Sequence, residues 1–320
     1  MMIKVEHLSK HFCDVKAVDD ISFDVKEHEN LILLGTSGCG KTTTLKMLNR
    51  LIEPTSGSIQ INDKDVLKQS PEELRRGIGY VLQNNGLFPH YTIAENIAIV
   101  PQLLKWDSKR IEKRIGELLE KLHLSTDQLK AYPNELSGGQ QQRVGLARAL
   151  MADPPILLMD EPFGALDNIT RSKIQAEFKE LDELKRKTII MVTHDVQEAF
   201  ELGDRICLMD KGKIVKIGTP AELLFKPAND FVKDFFKEQR LQLEFKAVKI
   251  KDLWNWLHNM KGNAAGHSLP VHTDVWTGMK SLGEGQSARL NITHEHETKS
   301  VGFEQLMTAF YKYQSNRTHE

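Results

Sequence analysis

A glycine-rich loop near the amino terminus is the feature whose residue types and spacing most directly indicate chemistry. Residues 35–42 match the pattern G-x-x-x-x-G-K-[S/T] and lie between an apolar strand, residues 31–34, and a helix predicted over residues 42–51. Glycines in such a loop let backbone N–H groups turn inward around phosphate oxygens. Lys41 is placed to reach the β and γ phosphates, and the Thr42 hydroxyl to hold Mg²⁺. The loop therefore predicts a site for a nucleoside triphosphate.

Cys39 lies inside this loop. A thiol close to a lysine and to the start of a helix usually has a lowered pKa. We therefore expect Cys39 to react readily when the site is empty and to be protected when nucleotide is bound. The residues that we assign to nucleotide binding in this segment are Gly35, Thr36, Ser37, Gly38, Cys39, Gly40, Lys41, Thr42 and Thr43.

Two adjacent carboxylates, Asp160 and Glu161, follow a second apolar strand at residues 156–159. An aspartate at the carboxyl end of a strand, beside a phosphate loop, can bind Mg²⁺. The glutamate after it can polarise an attacking water. Together with the loop, the pair predicts metal-assisted hydrolysis of a phosphate bond, with Asp160 as a metal ligand and Glu161 as a catalytic residue.

A third motif, Leu-Ser-Gly-Gly-Gln at residues 136–140, precedes a helix predicted over residues 141–150. Ser137 has the side chain of a helix N-cap, and the N–H groups of the glycines after it would be exposed at the positive end of the helix. This arrangement predicts an anion site. One chain therefore carries two separate sites for phosphate.

The three motifs, in this order and spacing, resemble those of the ATP-binding cassette (ABC) ATPases over roughly residues 1–236. The resemblance implies an α/β P-loop core with a helical subdomain over about residues 84–150. It implies ATP and Mg²⁺ as the ligands, and dimerisation with a second copy on binding ATP. It also implies that the ATP held by the second copy's P-loop meets Ser137, Gly138, Gly139 and Gln140.

Five further residues take their roles from the same resemblance. Gln83 looks like the glutamine that touches Mg²⁺ and the attacking water, and His194 like the histidine that contacts the γ-phosphate. Asp167 looks like the aspartate that crosses the dimer interface. Phe12 falls where the family stacks an aromatic ring on adenine, although it could equally be a core residue, and Val18 would pack beside the same base. The catalytic set is then Glu161, His194 and Gln83, and the metal ligands are Thr42, Gln83 and Asp160.

The elements that must position these residues follow an alternation of short apolar runs and helical periodicity. The runs at residues 31–34, 156–159 and 189–192 are each followed at once by polar residues or glycine. This is expected of central parallel strands covered on both faces, and function collects at their carboxyl ends. After residue 83 the strand rhythm gives way to helical spacing up to residue 150, which predicts a helical insertion.

The composition of the sequence changes after Phe236, and we place a domain boundary there. A small α+β domain is predicted over residues 237–320. Its pattern resembles one cystathionine-synthase-like (CBS) unit, of which relatives often carry two. We assign it to dimer stabilisation and regulation, its apolar residues being buried against the same tail of a second copy. The predicted elements are strand 269–272, helix 274–282, strand 288–292, strand 300–303 and helix 304–313.

Composition bounds the class of protein. The 320 residues are 40% hydrophobic and 27% charged, with 43 Lys and Arg against 44 Asp and Glu. This excludes a disordered chain, and it argues against nucleic acid as a partner because proteins that neutralise phosphates carry a basic excess. No stretch approaches the apolar length that a membrane span needs. Three widely spaced cysteines indicate a reduced, cytoplasmic setting.

A narrower likeness concerns the solute. The segments TTTLKMLNRL and PQLLKW are similar to those of importer ATPases for osmoprotectants and quaternary amines such as glycine betaine, choline and carnitine. This implies a membrane permease as partner, indirectly a solute-binding protein, and a peripheral position on the cytoplasmic face of the cell membrane. Residues 88–97 fall where such ATPases receive a permease helix, although their apolar side chains could serve ordinary loop packing.

Other classes remain open. The chain could be an importer ATPase for another small solute, or an ABC ATPase of translation or chromosome repair. The translation factors usually carry two cassettes and the repair proteins long heptads, and neither feature is present. A P-loop kinase would leave the motif at residues 136–140 unexplained.

Overall fold

The computed structural model describes residues 1–83, 86–260, 267–284, 288–295 and 297–318. Contacts between Cα atoms divide the chain into two compact units, Met1–Ile217 and Gly218–Glu320. In the described part of the chain, no helix combines the length and the apolar character that crossing a membrane requires.

The first unit alternates strands and helices, as the sequence pattern predicts. Its strands are β1 (Ile3–Phe12), β2 (Val15–Val25), β3 (Asn30–Gly35), β4 (Ser56–Ile61), β5 (Lys64–Asp65), β6 (Ile78–Val81), β7 (Ile156–Asp160), β8 (Thr188–Thr193), β9 (Arg205–Asp210) and β10 (Lys213–Gly218). Its α-helices are α1 (Lys41–Leu48), α2 (Pro71–Arg76), α3 (Ile93–Leu103), α4 (Ser108–Lys121), α5 (Gly138–Leu150), α6 (Asn168–Glu180), α7 (Asp182–Lys185) and α8 (Val196–Leu202).

A six-stranded sheet in the order β10-β9-β3-β8-β7-β6 forms the centre of this unit, and its pairings from β9 to β6 are parallel. The strands β3, β8 and β7 are the three apolar runs of the sequence, and almost every residue in them is buried. The prediction of central parallel strands is confirmed. Because parallel strands end at the same edge of a sheet, the residues that follow these three strands come together there.

A second, antiparallel sheet in the order β2-β1-β4-β5 shares its core with the central sheet. Leu8, Ile21 and Ile59 of this sheet belong to one buried cluster with Leu33 of β3 and Leu45 of α1. Each such side chain, when fully buried, stabilises the fold by about 1.5–3 kcal/mol relative to exposure. The strand-to-helix segment that carries the glycine-rich loop is therefore built on a well-packed base.

The helical insertion is present between β6 and β7, where α3, α4 and α5 follow one another. Helix α3 begins at a capping box of Thr92 and Glu95, and α4 at the N-cap Asp107. The buried residues of α4 recur at helical spacing, and its charged residues are mostly exposed. Three helices therefore lie where the sequence predicts a helical insertion. The buried positions of α4 are Ile111, Ile115, Leu118 and Leu119.

The second unit is a small α+β unit. Its sheet has the order β11-β12-β13, with β11 and β12 parallel and β12 and β13 antiparallel, which confirms the predicted order of strand, helix, strand, strand, helix. Its elements are α9 (Pro220–Phe225), α10 (Asp230–Phe236), α11 (Arg240–Ala247), β11 (His267–Pro270), α12 (Val275–Glu284), β12 (Leu290–His294), β13 (Glu297–Val301) and α13 (Phe303–Thr318).

This unit has a core of its own, which corrects the expectation that its apolar residues need a second copy for burial. Leu257, Leu306 and Phe310 are buried within the unit, and the rings of Phe245 and Phe310 lie 4.5 Å apart. Phe303, in contrast, has 57% of its surface exposed. A single chain therefore covers most, but not all, of these side chains.

The boundary between the units lies earlier in the chain than the change of composition at Phe236 predicts. Helices α9 and α10 pack against each other, and α9 also packs against α11 and α13. The rings of Phe225 and Tyr313 meet edge to face at 5.8 Å. Residues 218–236 therefore belong by contact to the second unit, because a shift in composition marks where polar residues begin and not which core a helix joins.

Candidate nucleotide site

The glycine-rich loop connects the end of β3 to the start of α1, as predicted. Gly40 has a φ of +104°, and a Cβ atom there would lie 2.4 Å from the carbonyl oxygen of Ala17. A Cβ atom on Gly35 would lie 2.2 Å from the carbonyl oxygen of Met209. Only glycine fits at both positions, since any side chain would collide with main chain. The surrounding strands therefore fix the path of the loop.

Lys41 is the first residue of α1, and its side chain turns back into the loop. Its Nζ atom donates hydrogen bonds of 2.8 Å to the carbonyl oxygens of both Gly35 and Thr36. Only 5% of the residue is exposed. The ammonium group is thus held against the loop by exchangeable hydrogen bonds rather than by a carboxylate.

Cys39 differs from its prediction. Its Sγ atom lies 3.6 Å from the Nζ of Lys41, as expected, but only 2% of the residue is exposed. Burial raises the pKa of the thiol, and this effect exceeds the lowering caused by Lys41. The expectation of a lowered pKa at Cys39 is therefore wrong, because it counted the neighbouring charge and not the loss of water.

Thr42 and Asp160 form the next contact of the site. The Thr42 hydroxyl donates a 2.8 Å hydrogen bond to the Asp160 carboxylate, which ends β7 and is 4% exposed. Burial raises the pKa of Asp160, and the hydrogen bond from Thr42 and the nearby charges of Lys46 and Lys41 act in the opposite direction. Two of the three predicted metal ligands, Thr42 and Asp160, are therefore in contact.

Glu161, Gln83 and His194 meet at the same edge of the sheet. The Oε2 atom of Glu161 accepts a 3.2 Å hydrogen bond from the Gln83 amide and lies 3.3 Å from Nδ1 of His194. Glu161 has a φ of +45°, a conformation that costs a non-glycine residue about 1–3 kcal/mol and is common at functional sites. Its N–H donates to the carbonyl oxygen of Val192, which holds the backbone in place. The structure thus brings the predicted catalytic residues together.

The predicted cap at Ser137 is confirmed. Its hydroxyl accepts from the N–H of Gln140, and the Gln140 side chain accepts from the N–H of Ser137 at 2.8 Å, which forms a capping box at the start of α5. Ser137 and Gly138 are exposed. Helix α5 begins at Gly138, three residues earlier than predicted. These polar groups bond to their own helix start, apart from the contacts around Lys41 and Glu161.

The two residues expected near the adenine base differ from each other. Phe12, at the end of β1, is 46% exposed, and the Nζ of Lys10 lies 5.1 Å from its ring centroid. Val18 has no exposed surface, and its side chain packs beside Gly40. The expectation that Val18 lies against a base is corrected, because the residue is enclosed in the core that supports the loop.

Asp167 is the N-cap of α6. Its Oδ1 atom accepts hydrogen bonds of 3.1 Å from the N–H groups of Ile169 and Thr170, and hydrogen bonds from Thr170 in particular lower its pKa. The side chain is exposed at the surface of the unit. Its local role is therefore capping, and it stays free to meet another molecule.

The sequence did not predict a role for three polar residues near His194, which are Asp195, Arg171 and Glu198. Asp195 caps α8, and its carboxylate lies 3.2 Å from a guanidinium nitrogen of Arg171 on α6. Glu198 is buried, and burial raises its pKa to about 7. The pattern Asp-x-x-Glu directly after a strand-end histidine is an available signal for such a cap.

An open groove of about 300 Å³ lies next to Gln83. Its walls include exposed apolar side chains, among them Leu82 at 39% and Phe88 at 49% exposure. They also include cationic groups, since the Arg148 guanidinium lies 5.8 Å from the Phe88 ring centroid and donates to the carbonyl oxygen of Gly86. Arg75, Ile99 and Val100 also line the groove.

The fold and the loop together define a P-loop α/β protein. A family model described as ABC transporter matches residues 18–164. The glycine betaine/carnitine/choline transport ATP-binding protein OpuCA of Bacillus subtilis is 53% identical over 241 residues, which are 75% of this chain and 63% of that protein. The osmoprotectant import ATP-binding protein OsmV of Salmonella typhimurium is 51% identical over 258 residues, 79% of this chain and 68% of that protein.

Among solved structures, the dimeric post-hydrolysis state of the ATP-binding cassette MJ0796 bound to ADP and Pi is similar, with a TM-score of 0.61 and 34% identity. The similarity covers 68% of this chain and 98% of that one. The chain belongs to the ABC transporter family. The matched part spans less than two thirds of OpuCA.

Proposed function

We propose that this protein binds ATP with Mg²⁺ and hydrolyses it, as the ATP-binding subunit of an ABC importer for an osmoprotectant or quaternary amine. The observation that carries the proposal is the meeting of the loop lysine, two carboxylates, a glutamine and a histidine at one edge of the central sheet. The similarity to OpuCA and OsmV supports it, since these are transport and import ATP-binding proteins.

In this proposal Lys41 binds the triphosphate by exchanging partners. Its ammonium group gives up the carbonyl oxygens of Gly35 and Thr36 and takes phosphate oxygens, which form stronger, charge-assisted hydrogen bonds. The N–H groups of the loop and of the start of α1 add further donors. The exposed ring of Phe12 offers a face on which adenine can stack.

The residues present fit Mg²⁺. The Thr42 hydroxyl, the Asp160 carboxylate and the Gln83 amide are oxygen donors of the kind that Mg²⁺ prefers. In the described part of the chain, no three His, Cys, Asp or Glu side chains form a metal cluster. Thr42, Asp160 and Gln83 would hold the ion together with oxygens of phosphate and water. When bound, Mg²⁺ neutralises charge on the β and γ phosphates.

Glu161 is the group that orients and deprotonates the attacking water. One oxygen of its carboxylate accepts a hydrogen bond from the Gln83 amide and lies beside His194, and these contacts orient the group. The side chain stays 21% exposed, so water can reach it. His194, 62% exposed, is placed to donate to the transferring phosphoryl group. Such fixed groups stabilise charge that develops only as the phosphate bond breaks.

A second copy of the chain completes each site in this proposal. The exposed start of α5 at Ser137 offers N–H groups and the positive end of a helix dipole to a phosphate. That phosphate would belong to ATP on the P-loop of the other copy, near the exposed Asp167. The dimeric form of the MJ0796 cassette bound to ADP and Pi supports this arrangement.

The groove next to Gln83 is our candidate docking site for the permease. Leu82, Phe88, Ile99 and Val100 offer an apolar surface, and Arg75 and Arg148 add positive charge. A short amphipathic helix with an acidic residue fits such a surface. Gln83 follows Leu82 directly and contacts Glu161. A molecule bound in the groove can therefore change the position of the catalytic carboxylate.

The proposed solute is inferred from the relatives alone. We assign no solute-binding site to the described residues of the first unit. We propose a quaternary amine or osmoprotectant, brought by a separate solute-binding protein to a permease, with this chain on the cytoplasmic face of the membrane. An importer of another small solute and a non-transport ABC ATPase are the alternatives.

We further propose that the second unit is a single CBS-like module that contacts a second copy and regulates transport. The order of its three strands and the helices α12 and α13 supports this proposal. The partly exposed rings of Trp276, Phe303 and Tyr311 offer apolar surface for such a contact.

Two measurements test the proposal. Titration with a fluorescent ATP analogue should show binding to the wild-type chain and to Lys113→Ala, an exposed control on α4, but not to Lys41→Ala. Vesicles that contain the permease, this chain and enclosed ATP should then take up radiolabelled glycine betaine, choline or carnitine. Uptake of a different solute supports the first alternative, and absence of any permease partner supports the second.

A further inference from the structure

A single arginine joins two of the loops that flank the candidate site. Arg171 of α6 donates a 2.9 Å hydrogen bond from one guanidinium nitrogen to the carbonyl oxygen of Leu166. Another nitrogen of the same group donates to the Asp195 carboxylate at 3.2 Å. Leu166 directly precedes Asp167, and Asp195 directly follows His194. One side chain therefore ties the segment of Asp167 to the segment of His194.

Asp195 is well placed to pass this restraint to the histidine. Its Oδ1 atom accepts from the N–H groups of Gln197 and Glu198 and so caps α8. Its own N–H donates to the Thr193 hydroxyl at 3.0 Å, on the other side of His194. The backbone on both sides of His194 is therefore held by one small network. The ring itself projects towards solvent and meets Glu161 at 3.3 Å.

Helices α6 and α8 contain buried polar atoms that form no hydrogen bond among the described residues. Nε of Arg171, Nε2 of Gln175 and Oε1 of Glu198 are enclosed and lack a hydrogen-bond partner among the described residues. Enclosed polar atoms are normally paired. Helices α6 and α8 pack against each other, and the unpaired Nε leaves the guanidinium one donor beyond the two that bind Leu166 and Asp195.

We infer that Arg171 is a positioning residue for phosphate transfer, which holds His194 towards Glu161 and couples its position to the Asp167 segment. The inference rests on the proposed ATP hydrolysis. Asp167 is the residue expected to meet a second copy, so contact between copies would reach the histidine through the Arg171 guanidinium. Arg171 touches neither substrate nor reacting atoms in this account.

A positioning role of Arg171 and a purely structural role predict different effects when the guanidinium is removed. Loss of the guanidinium leaves Asp195 in place as the cap of α8 and leaves Asp167 as the cap of α6. Both helices therefore keep their starts, and the fold should survive. The restraint on the His194 loop is lost, and a small misplacement of a catalytic group lowers kcat by between about tenfold and a hundredfold.

Steady-state hydrolysis by Arg171→Met and by a control, Glu177→Gln, tests the inference. Glu177 lies on the same helix and forms a 2.5 Å ion pair with Arg143 of α5. We expect Arg171→Met to lose at least about tenfold in kcat, with KM for ATP within about twofold, and Glu177→Gln to keep the wild-type kcat. Arg171→Lys, which can reach only one acceptor at a time, should recover part of the loss.

A readout that needs no hydrolysis keeps this test apart from the proposed function. In nucleotide-free protein labelled at histidine, the ring resonances of His194 should shift in Arg171→Met and stay unchanged in Glu177→Gln. Inactivity of the wild type would refute hydrolysis itself. An unshifted His194 signal, wild-type kcat in folded Arg171→Met, or an equal loss in Glu177→Gln would overturn the inference.

Discussion

Thr42 and Asp160 are 118 positions apart in the chain, yet the Thr42 hydroxyl donates a 2.8 Å hydrogen bond to the Asp160 carboxylate. The contact links the first turn of α1 to the end of β7. It exists because both segments leave the central sheet at the same edge. In the proposed function it places two oxygen ligands side by side before nucleotide and metal arrive, which lowers the cost of ordering them.

The buried carboxyl of Glu198 predicts a pH-dependent stability. Burial raises its pKa from 4.5 to about 7, while a hydrogen bond from Thr193 and the charge of Arg171 oppose the shift and Asp195 and Glu161 add to it. The raised pKa stabilises the fold below pH 4.5, and this contribution is lost as pH rises through about 7.

Comparison with Glu198→Gln isolates this effect. We expect the free energy of unfolding of the wild type, relative to Glu198→Gln, to fall by about 3 kcal/mol between pH 4.5 and pH 8. Urea denaturation at several pH values measures it. If the free energy of unfolding changed with pH in the same way for both proteins, the pKa of Glu198 would not be raised in the fold, contrary to this prediction.

Glu183 predicts the opposite dependence. Its burial opposes ionisation, but hydrogen bonds from Lys121 and Arg114 outweigh burial and hold its pKa at about 2. The carboxylate therefore stabilises the fold above pH 4.5 and loses this effect as pH falls towards 2. Glu183→Gln should lower the free energy of unfolding at pH 7 by about 3 kcal/mol, since two cations lose their partner.

The neighbouring Asp182→Asn is a matched control, because Asp182 pairs with Lys185 while 90% of its side chain is exposed. Exposed ion pairs contribute little. The two variants should therefore differ clearly in chemical denaturation at pH 7 and converge only as pH falls towards 2. Equal effects of the two substitutions would contradict the burial of the Glu183 cluster.

Short local patterns in the sequence predicted three features of the site correctly. The loop at residues 35–42, the carboxylates at the end of β7 and the cap at Ser137 are each defined by a few neighbouring residues, and the structure contains all three. Their convergence followed from the rule that parallel strands end at one edge. The wrong pKa of Cys39 and the enclosed Val18 depend on what packs over them, which no local pattern reports.

The missed residues have the same physical explanation. Arg171 and Asp195 are 24 positions apart and pair only because α6 and α8 pack together. Singly, each is an ordinary charged residue on a helix or at a cap. The boundary near Ile217 was missed because helix packing, and not composition, assigns α9 and α10 to the second unit.

Cys39 should alkylate slowly despite its place beside Lys41. Cys13 is exposed and serves as an internal reference, whereas Cys39 is buried with a raised pKa. With iodoacetamide at neutral pH, peptide mass spectrometry should find Cys13 modified first and Cys39 much later. ATP should slow Cys39 further and leave Cys13 unchanged. Equal rates at the two thiols would contradict the structure of the loop.

The position of the domain boundary predicts how truncated chains behave. A chain ending at Ile217 should melt cooperatively and bind ATP. A chain ending at Phe236 should also fold but should bind the dye ANS, because the apolar residues of α9 and α10 lose the partners they have in the second unit. If only the chain ending at Phe236 folds, the boundary lies where the composition changes.

Release of phosphate from ATP by the purified chain tests the central claim most directly. Wild-type protein and Glu112→Gln, an exposed control on α4, should hydrolyse ATP only with Mg²⁺. Glu161→Gln should bind ATP equally well and elute as an ATP-bound dimer, while its hydrolysis slows by about 10²–10⁴-fold, since the carboxylate that activates water is lost. Hydrolysis by Glu161→Gln at the wild-type rate would contradict the assigned role of this carboxylate, and absence of hydrolysis by the wild type would contradict the proposed function.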